Sequence, residues 1–348
     1  MRIVVTGASG NVGTAVVRKL VALDAVDEVV GICRRPHDWQ PTKTRWVNLD
    51  VSTDELVPTL AGADVVIHLA WLFQPTHDPN VTWQNNVIGT QRLLQAVAAA
   101  EVPAVVVASS VGAYTPRVSL EPVDESWPTM GYAGAAYSRE KSYVERMLDH
   151  HEALHPERRV VRMRPAFIFQ RSAALEQRRI FLGPLVPHAL LLRGRLPVMP
   201  LPRELHFQAL QTDDVAAAYA EAALRPVRGG FNLGTDVLGP RGIAEALGSR
   251  WVPMPAPLLN GAVTAAHTAH LLPASPGLLE LALRVPMLDS SRARAELDWA
   301  PDFDARGAIG EFLQGIGLGE DGPTPPLAGS TSGPGRSFEV ATGVGSRA

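Results

Sequence analysis

The sequence predicts an α/β protein: a doubly wound parallel sheet with a smaller, mostly helical C-terminal substrate lobe. Three observations predict it. Short apolar runs rich in Val, Ile or Ala recur at Arg2–Thr6, Glu28–Cys33, Val65–Leu69, Ala104–Ala108 and Val160–Met163. They show little polar alternation, as expected of parallel strands buried on both faces. Helical stretches lie between them, at Val12–Leu23, Asn86–Ala100 and Ala136–His150. Strand alternating with helix implies right-handed crossovers and a parallel sheet. Finally, the first strand runs directly into a glycine-rich turn that opens a helix.

Composition bounds what such a chain can do. Of 348 residues, 46% are hydrophobic and 19% charged, an ordinary balance for a globular protein with a substantial core. The net charge is −3 and no Lys/Arg block stands out, so no nucleic-acid footprint is expected. Cys33 is the sole cysteine, which excludes an intrachain disulfide and a cysteine-built zinc site. Ile3-Val4-Val5 runs straight into glycines rather than into the apolar core of a signal peptide, and a cytoplasmic location is expected. Between Arg250 and Glu280 no Asp, Glu, Lys or Arg occurs. Prolines break that stretch, and no run reaches the ~20 apolar residues a spanning helix needs. A buried, proline-broken helical region is expected there, and no membrane contact.

The strand–helix rhythm divides the chain. Residues 1–170 are expected to form the nucleotide-binding domain, with 207–235 returning to it through Phe207–Leu224 and the strand at Phe231-Asn232-Leu233-Gly234. Residues 171–206 and 236–318 are expected to form the substrate lobe. From Gly319 to Ala348 the composition turns to Gly, Pro, Ser and Thr, and disorder is expected.

The chemistry starts at Thr6-Gly7-Ala8-Ser9-Gly10-Asn11-Val12-Gly13. Gly7 permits the tight turn, Gly10 lets backbone approach a pyrophosphate, and Gly13 lets helix and strand pack closely. The helix N-terminus offers free N–H groups and a positive dipole end. This is a dinucleotide-binding turn of the Rossmann type. About 20 residues beyond the glycines, where NAD binders place a carboxylate, stand Cys33, Arg34 and Arg35. Two guanidiniums suit a ribose 2′-phosphate, so NADP is the expected cofactor, with NAD as the alternative.

Tyr137 and Lys141 stand i, i+4 on a helix and therefore share a face. A tyrosine hydroxyl titrates near 10, and a nearby ammonium is expected to lower that value and favour the phenolate. The same lysine could hydrogen-bond a nicotinamide ribose. His267 and His270 lack carboxylates at ligand spacing, and His150, His151 and His155 sit near a helix end; no metal site is expected.

The glycine spacing and Tyr137-Ser138-Arg139-Glu140-Lys141 together resemble the extended short-chain dehydrogenases/reductases, the NAD-dependent epimerase/dehydratase family. The matching pieces run in order from Met1 to about Pro301: Asp50-Val51, His68-Leu69-Ala70, Asn86-Val87-Ile88-Gly89-Thr90, Ser109-Ser110, Arg164-Pro165, Asp213-Asp214-Val215, Asp289-Ser290 and Leu297-Asp298-Trp299. The resemblance implies a catalytic set of Ser110, Tyr137 and Lys141, with Ser109 as the alternative hydroxyl. It also implies cofactor contacts from Gly7, Ser9, Gly10, Asn11, Val12 and Gly13, from Asp50 and Val51 beside the adenine, and from Leu69, Ala70, Ala108, Lys141 and Pro165. Asn86 counts among the same cofactor-site residues, holding a helix backbone or water behind it, with a plain helix N-cap as the alternative.

Two departures narrow the chemistry. Nucleotide-sugar enzymes that the chain resembles usually carry Asn-x-Tyr-Gly-Pro after the sixth strand; here Ala166-Phe167-Ile168-Phe169-Gln170-Arg171 implies a more apolar pocket. The dehydratases place Asp and Glu just after the hydroxyl residue, where this chain has Val111 and Gly112. The expected function is therefore hydride transfer between nicotinamide and a carbonyl or alcohol substrate, with Tyr137 as acid/base. A nucleotide-sugar epimerase and a non-catalytic NADP-binding sensor are the alternatives. The expected partner is a small-molecule substrate, with a homodimer left open.

Overall fold

The protein is described from a computed structural model, for residues 1–74, 76–183, 192, 194, 196–320, 322–328 and 344. The chain begins with β1 (Arg2–Thr6), α1 (Asn11–Val21), β2 (Glu28–Cys33), β3 (Thr44–Asn48), α2 (Val57–Leu60) and β4 (Val65–His68). It continues through α3 (Pro79–Trp83), a π-helical turn (Gln84–Ile88), α4 (Gly89–Ala99), β5 (Ala104–Ala108), α5 (Ala136–Leu154) and β6 (Arg159–Pro165). Then come β7 (Phe167–Phe169), α6 (Ala174–Leu182), β8 (Val198–Leu201), β9 (Phe207–Gln211), α7 (Thr212–Leu224) and β10 (Gly229–Leu233). The remainder is β11 (Val237–Leu238), α8 (Pro240–Ala246), β12 (Arg250–Pro253), α9 (Ala256–Thr268), α10 (Pro276–Ala282), α11 (Ser291–Leu297) and α12 (Ala305–Leu318).

Seven strands form one sheet in the order β10-β6-β5-β4-β1-β2-β3, every pairing parallel. This is the expected doubly wound, Rossmann-type sheet. Successive strand residues point to opposite faces, and both faces are apolar here. Ile3 and Val5 pack with α1 and α7 on one side, while Val4, Val30 and Ile32 pack with Leu93, Val97, Val144 and Leu148 on the other. Strand order reverses between β1 and β4, which opens a crevice at the carboxyl ends of those strands, where ligands bind in such sheets.

Two small sheets, β11-β9-β7 and β12-β8, lie outside the main one. A separate core of Ala209, Leu238, Ile243, Ala308, Ile309 and Leu313 supports the first of them. Of the segment expected to return to the main sheet, β10 joins it and α7 packs on α1, whereas β9 belongs to the small sheet. Three further differences have physical causes. β3 has one neighbour and no fully buried residue, so no apolar run marks it in the sequence. α9 forms within the charge-free stretch but has no buried residue, contrary to the burial expected there; Leu258 is 65% exposed. In the segment expected to be disordered, residues 322–328 pack down. Leu327 and Thr324 are buried, and the Thr324 hydroxyl donates to the Ser9 carbonyl at 2.7 Å. Residues 321, 329–343 and 345–348 of that segment lie outside the described residues, as do 184–191. No helix among the described residues is long and apolar enough to cross a membrane.

Candidate active site

β1 ends where the backbone must turn sharply toward α1. Gly7 makes that turn at φ +67°, and a side chain there would lie 2.7 Å from the Ala70 nitrogen. A Cβ on Gly13 would come within 2.1 Å of the Gly7 carbonyl oxygen, so only glycine lets α1 begin this close to the turn. Gly10 is the N-cap and has no side chain to satisfy the first-turn N–H groups of α1. Ser9, Asn11 and Val12 complete the turn, with the Asn11 side-chain oxygen accepting from the Thr212 hydroxyl at 3.3 Å. Leu69 and Ala70 lie against it: the Leu69 N–H donates to the Thr6 carbonyl and the Ala70 N–H to the Thr6 hydroxyl.

At the end of β2, Arg34 and Arg35 are both exposed. The Arg34 guanidinium stands 4.0 Å from the Asp50 carboxylate, which is itself held by the Ser52 backbone and hydroxyl. Val51 is buried beside Gly89.

The proposed catalytic side chains converge at the carboxyl ends of β4 and β5. Lys141 is buried, and its ammonium donates to the Ala108 carbonyl at 2.7 Å. Ser109 and Ser110 point to different tasks. The Ser109 hydroxyl donates to the buried Glu145 carboxylate at 2.5 Å, whereas Ser110 accepts from the Gly112 N–H at 3.0 Å and lies with the Tyr137 ring against that turn. A Cβ on Gly112 would lie 2.7 Å from the Tyr137 ring, so glycine there lets the ring rest against the turn. Pro165 ends β6 in register with Leu233, beside this edge.

Burial pushes the Tyr137 hydroxyl up to about 12, with the Ser110 hydrogen bond opposing and the Glu140 carboxylate adding. The expected lowering by Lys141 does not occur in this state. The ammonium sits 5.9 Å from the tyrosine ring centre, and burial pulls Lys141 itself down to about 7 against the pull of Glu140 and Glu145. Desolvation outweighs the charge–charge effect, and Tyr137 is protonated at neutral pH.

Asn86 is no N-cap. It lies within the π-helical turn, fully buried, and its side chain accepts from the Leu72 N–H, donates to the Leu72 carbonyl and donates to Glu140 at 2.7 Å. It thereby ties the loop after β4 to the catalytic helix. His68 bridges Thr6 and Thr90 at 2.7 and 2.9 Å, and burial drives it down to about 3, so it stays neutral.

Sequence reasoning missed three side chains here. Glu140 lies inside the Tyr137–Lys141 turn; Thr82 and Asn86 hold its carboxylate, and burial raises its pKa. Trp71 places its ring centre 3.3 Å from the Lys141 ammonium and edge-on to Tyr137, with its indole N–H buried and unpaired. Phe73 stacks on Tyr137 at 5.1 Å and 15°. Their one sequence signal is position, directly after His68-Leu69-Ala70. His267 and His270 stack on His77 at 3.8 and 4.1 Å, and no group of three ligating side chains able to hold a metal occurs among the described residues.

Known proteins share this architecture. MoeE5 in complex with UDP-glucose and NAD superposes with a TM-score of 0.68 at 21% identity, over 92% of this chain and 99% of that one. The UDP-glucose 4-epimerase of Thermotoga maritima, solved with UDP-glucose, gives 0.68 at 19% identity over 92% and 99%. An uncharacterised protein of Mycobacterium tuberculosis is 28% identical over 330 residues, 92% of this chain but 31% of its own length. The chain thus spans about a third of the curated relatives it matches first. Residues 3–232, which carry the glycine turn, Ser110, Tyr137 and Lys141, match the family described as NAD dependent epimerase/dehydratase, and the chain belongs to that enzyme family.

Proposed function

We propose that this chain is an NAD(P)-dependent oxidoreductase in which Tyr137 protonates a substrate carbonyl as hydride arrives. The observation that carries the reading is geometric: the Ser110 hydroxyl and the Tyr137 ring meet at the Gly112 turn, with Lys141 one helical turn on. The glycine cradle that any Cβ at Gly13 would fill, and the uncapped start of α1, fit a dinucleotide pyrophosphate. When bound, the nicotinamide supplies or accepts the hydride. Ser110 and Tyr137 orient the carbonyl oxygen, and the tyrosine donates its proton there as the alkoxide forms. Lys141 would hold a ribose hydroxyl; its ammonium donates to the Ala108 carbonyl and faces the Trp71 ring.

NADP is favoured by the exposed Arg34 and Arg35; NAD is the alternative, favoured by solved relatives that hold NAD. Arg34→Ala is expected to weaken NADPH binding by about 1.5–3 kcal/mol while barely changing NADH binding. Fluorescence titration of both cofactors checks this, and a parent protein preferring NADH contradicts it. The domain division, with residues 171–206 and 236–318 supplying the substrate lobe, forms part of the same proposal, as do a cytoplasmic setting and a homodimer.

The pH profile tests the catalytic set. Because kcat/KM for NADPH reports groups of the free enzyme, it should fall as pH rises through about 7, where Lys141 loses its proton. Lys141→Met should remove that fall at a lower overall rate. A parent profile flat between about pH 6 and 9 contradicts the assignment. A nucleotide-sugar epimerase is the second reading, favoured by the UDP-glucose complexes among the solved relatives.

A further inference from the structure

The cleft beside Tyr137 identifies what kind of carbonyl compound it would take, an inference that rests on the oxidoreductase reading. Its walls are mostly apolar, with Leu72, Phe73, Ala135 and Leu278 around the tyrosine ring. Among the described residues lining it there is no lysine or arginine. The one charged group, Glu140, is turned to Thr82 and Asn86 and spends its oxygens there. A diphosphate brought into this cleft would shed water without gaining a cation, at a cost no apolar wall repays. It would also face a carboxylate.

Aromatic side chains dominate the approach. Phe73 lies parallel on Tyr137 and edge-on to Phe181 at 5.8 Å, and it is 37% exposed, so it forms the rim between the tyrosine and solvent. The chain on either side of it is held: Leu72 is clamped at both N–H and carbonyl by Asn86, and the Gln74 side chain donates to the Ile180 carbonyl at 3.1 Å. A partly exposed ring stacked beside the Tyr137 ring is a surface on which a flat apolar group can stack.

We propose that the substrate is an uncharged carbonyl compound bearing a flat aromatic group, and that Phe73 is the residue that selects it. The flat group rests on the exposed part of Phe73 at the mouth of the narrow cleft, and its oxygen points toward Tyr137. Phe73 makes no bond to the reacting atoms, so its loss acts on binding.

Calorimetric binding to the NADP⁺-loaded protein tests this without requiring turnover. The probes are 2-naphthol, an uncharged flat alcohol, and UDP-glucose. Binding of 2-naphthol is expected, weakened about tenfold or more by Phe73→Ala, equivalent to about 1.4 kcal/mol, and restored by Phe73→Tyr, which keeps the ring. UDP-glucose is expected not to compete. Tighter binding of UDP-glucose than of 2-naphthol, binding of neither, or equal affinity in Phe73→Ala overturns the proposal. In the companion assay of NADPH oxidation with 2-naphthaldehyde, a rise in KM for Phe73→Ala exceeding any fall in kcat is expected. Naphthol binding that depends on Phe73, with no oxidation of NADPH by any carbonyl, would keep the cleft assignment and reject the oxidoreductase reading instead.

Discussion

Tyr137→Phe is expected to lower turnover by roughly two to four powers of ten while leaving cofactor affinity within a few-fold of the parent. The substitution removes one oxygen and keeps the ring. The Phe73 stack, the contact with the Gly112 turn and the helix carrying Lys141 therefore survive. What is lost is the phenolic proton beside the Ser110 hydroxyl. Single-turnover rates and cofactor titration on the purified variant measure both quantities. Turnover near that of the parent protein would remove Tyr137 from the mechanism.

Arg164→Met is expected to cost about 3–5 kcal/mol of stability, because it takes two charged donors from a buried carboxylate and leaves it the Ser109 hydroxyl and the Arg162 guanidinium at 3.5 Å. Arg164 grips Glu145 with two nitrogens at 2.8 and 2.9 Å and also donates to the Tyr114 hydroxyl and the Glu125 carbonyl. Glu145 is fully buried beneath Ser109. Burial raises its pKa, but the Arg164 hydrogen bonds and charge outweigh that and hold it below the usual carboxylate value. A depressed carboxylate stabilises the fold above its unfolded pKa, and that contribution fades as pH falls through the folded value. Denaturant melts should therefore show the gap between parent and variant narrowing in acid. A variant as stable as the parent at neutral pH contradicts this account of the β5–β6 edge.

The elements legible in the sequence are those whose signal is local. β1, β2 and β5 read correctly because they are buried on both faces and carry unbroken apolar runs. The glycine turn reads because Gly7 and Gly13 answer steric demands within a few residues. Tyr137 and Lys141 read because helical geometry puts them on one face. What stayed hidden depends on contacts across the chain. β3 is an edge strand with no fully buried residue. Glu140 acquires meaning only when Asn86 arrives from 54 positions away. Trp71 and Phe73 are loop residues until α5 brings Tyr137 beneath them. Residues 322–328 looked too poor in large apolar side chains to order, yet Leu327 and the Thr324–Ser9 hydrogen bond hold them down. The direction of the Tyr137 shift was misread for the same reason, since burial is a property of the fold and not of the Tyr–Lys spacing.

The central claim is that the cofactor is consumed with each turnover. An oxidoreductase must release its nicotinamide every cycle, whereas an epimerase retains it through both half-reactions. Purified protein should therefore carry little nicotinamide, and NADPH absorbance should fall mole for mole with alcohol formed from an aromatic aldehyde. Nicotinamide that survives gel filtration, together with isomerised UDP-glucose and no change in absorbance, would contradict the account and assign the chain to the epimerases.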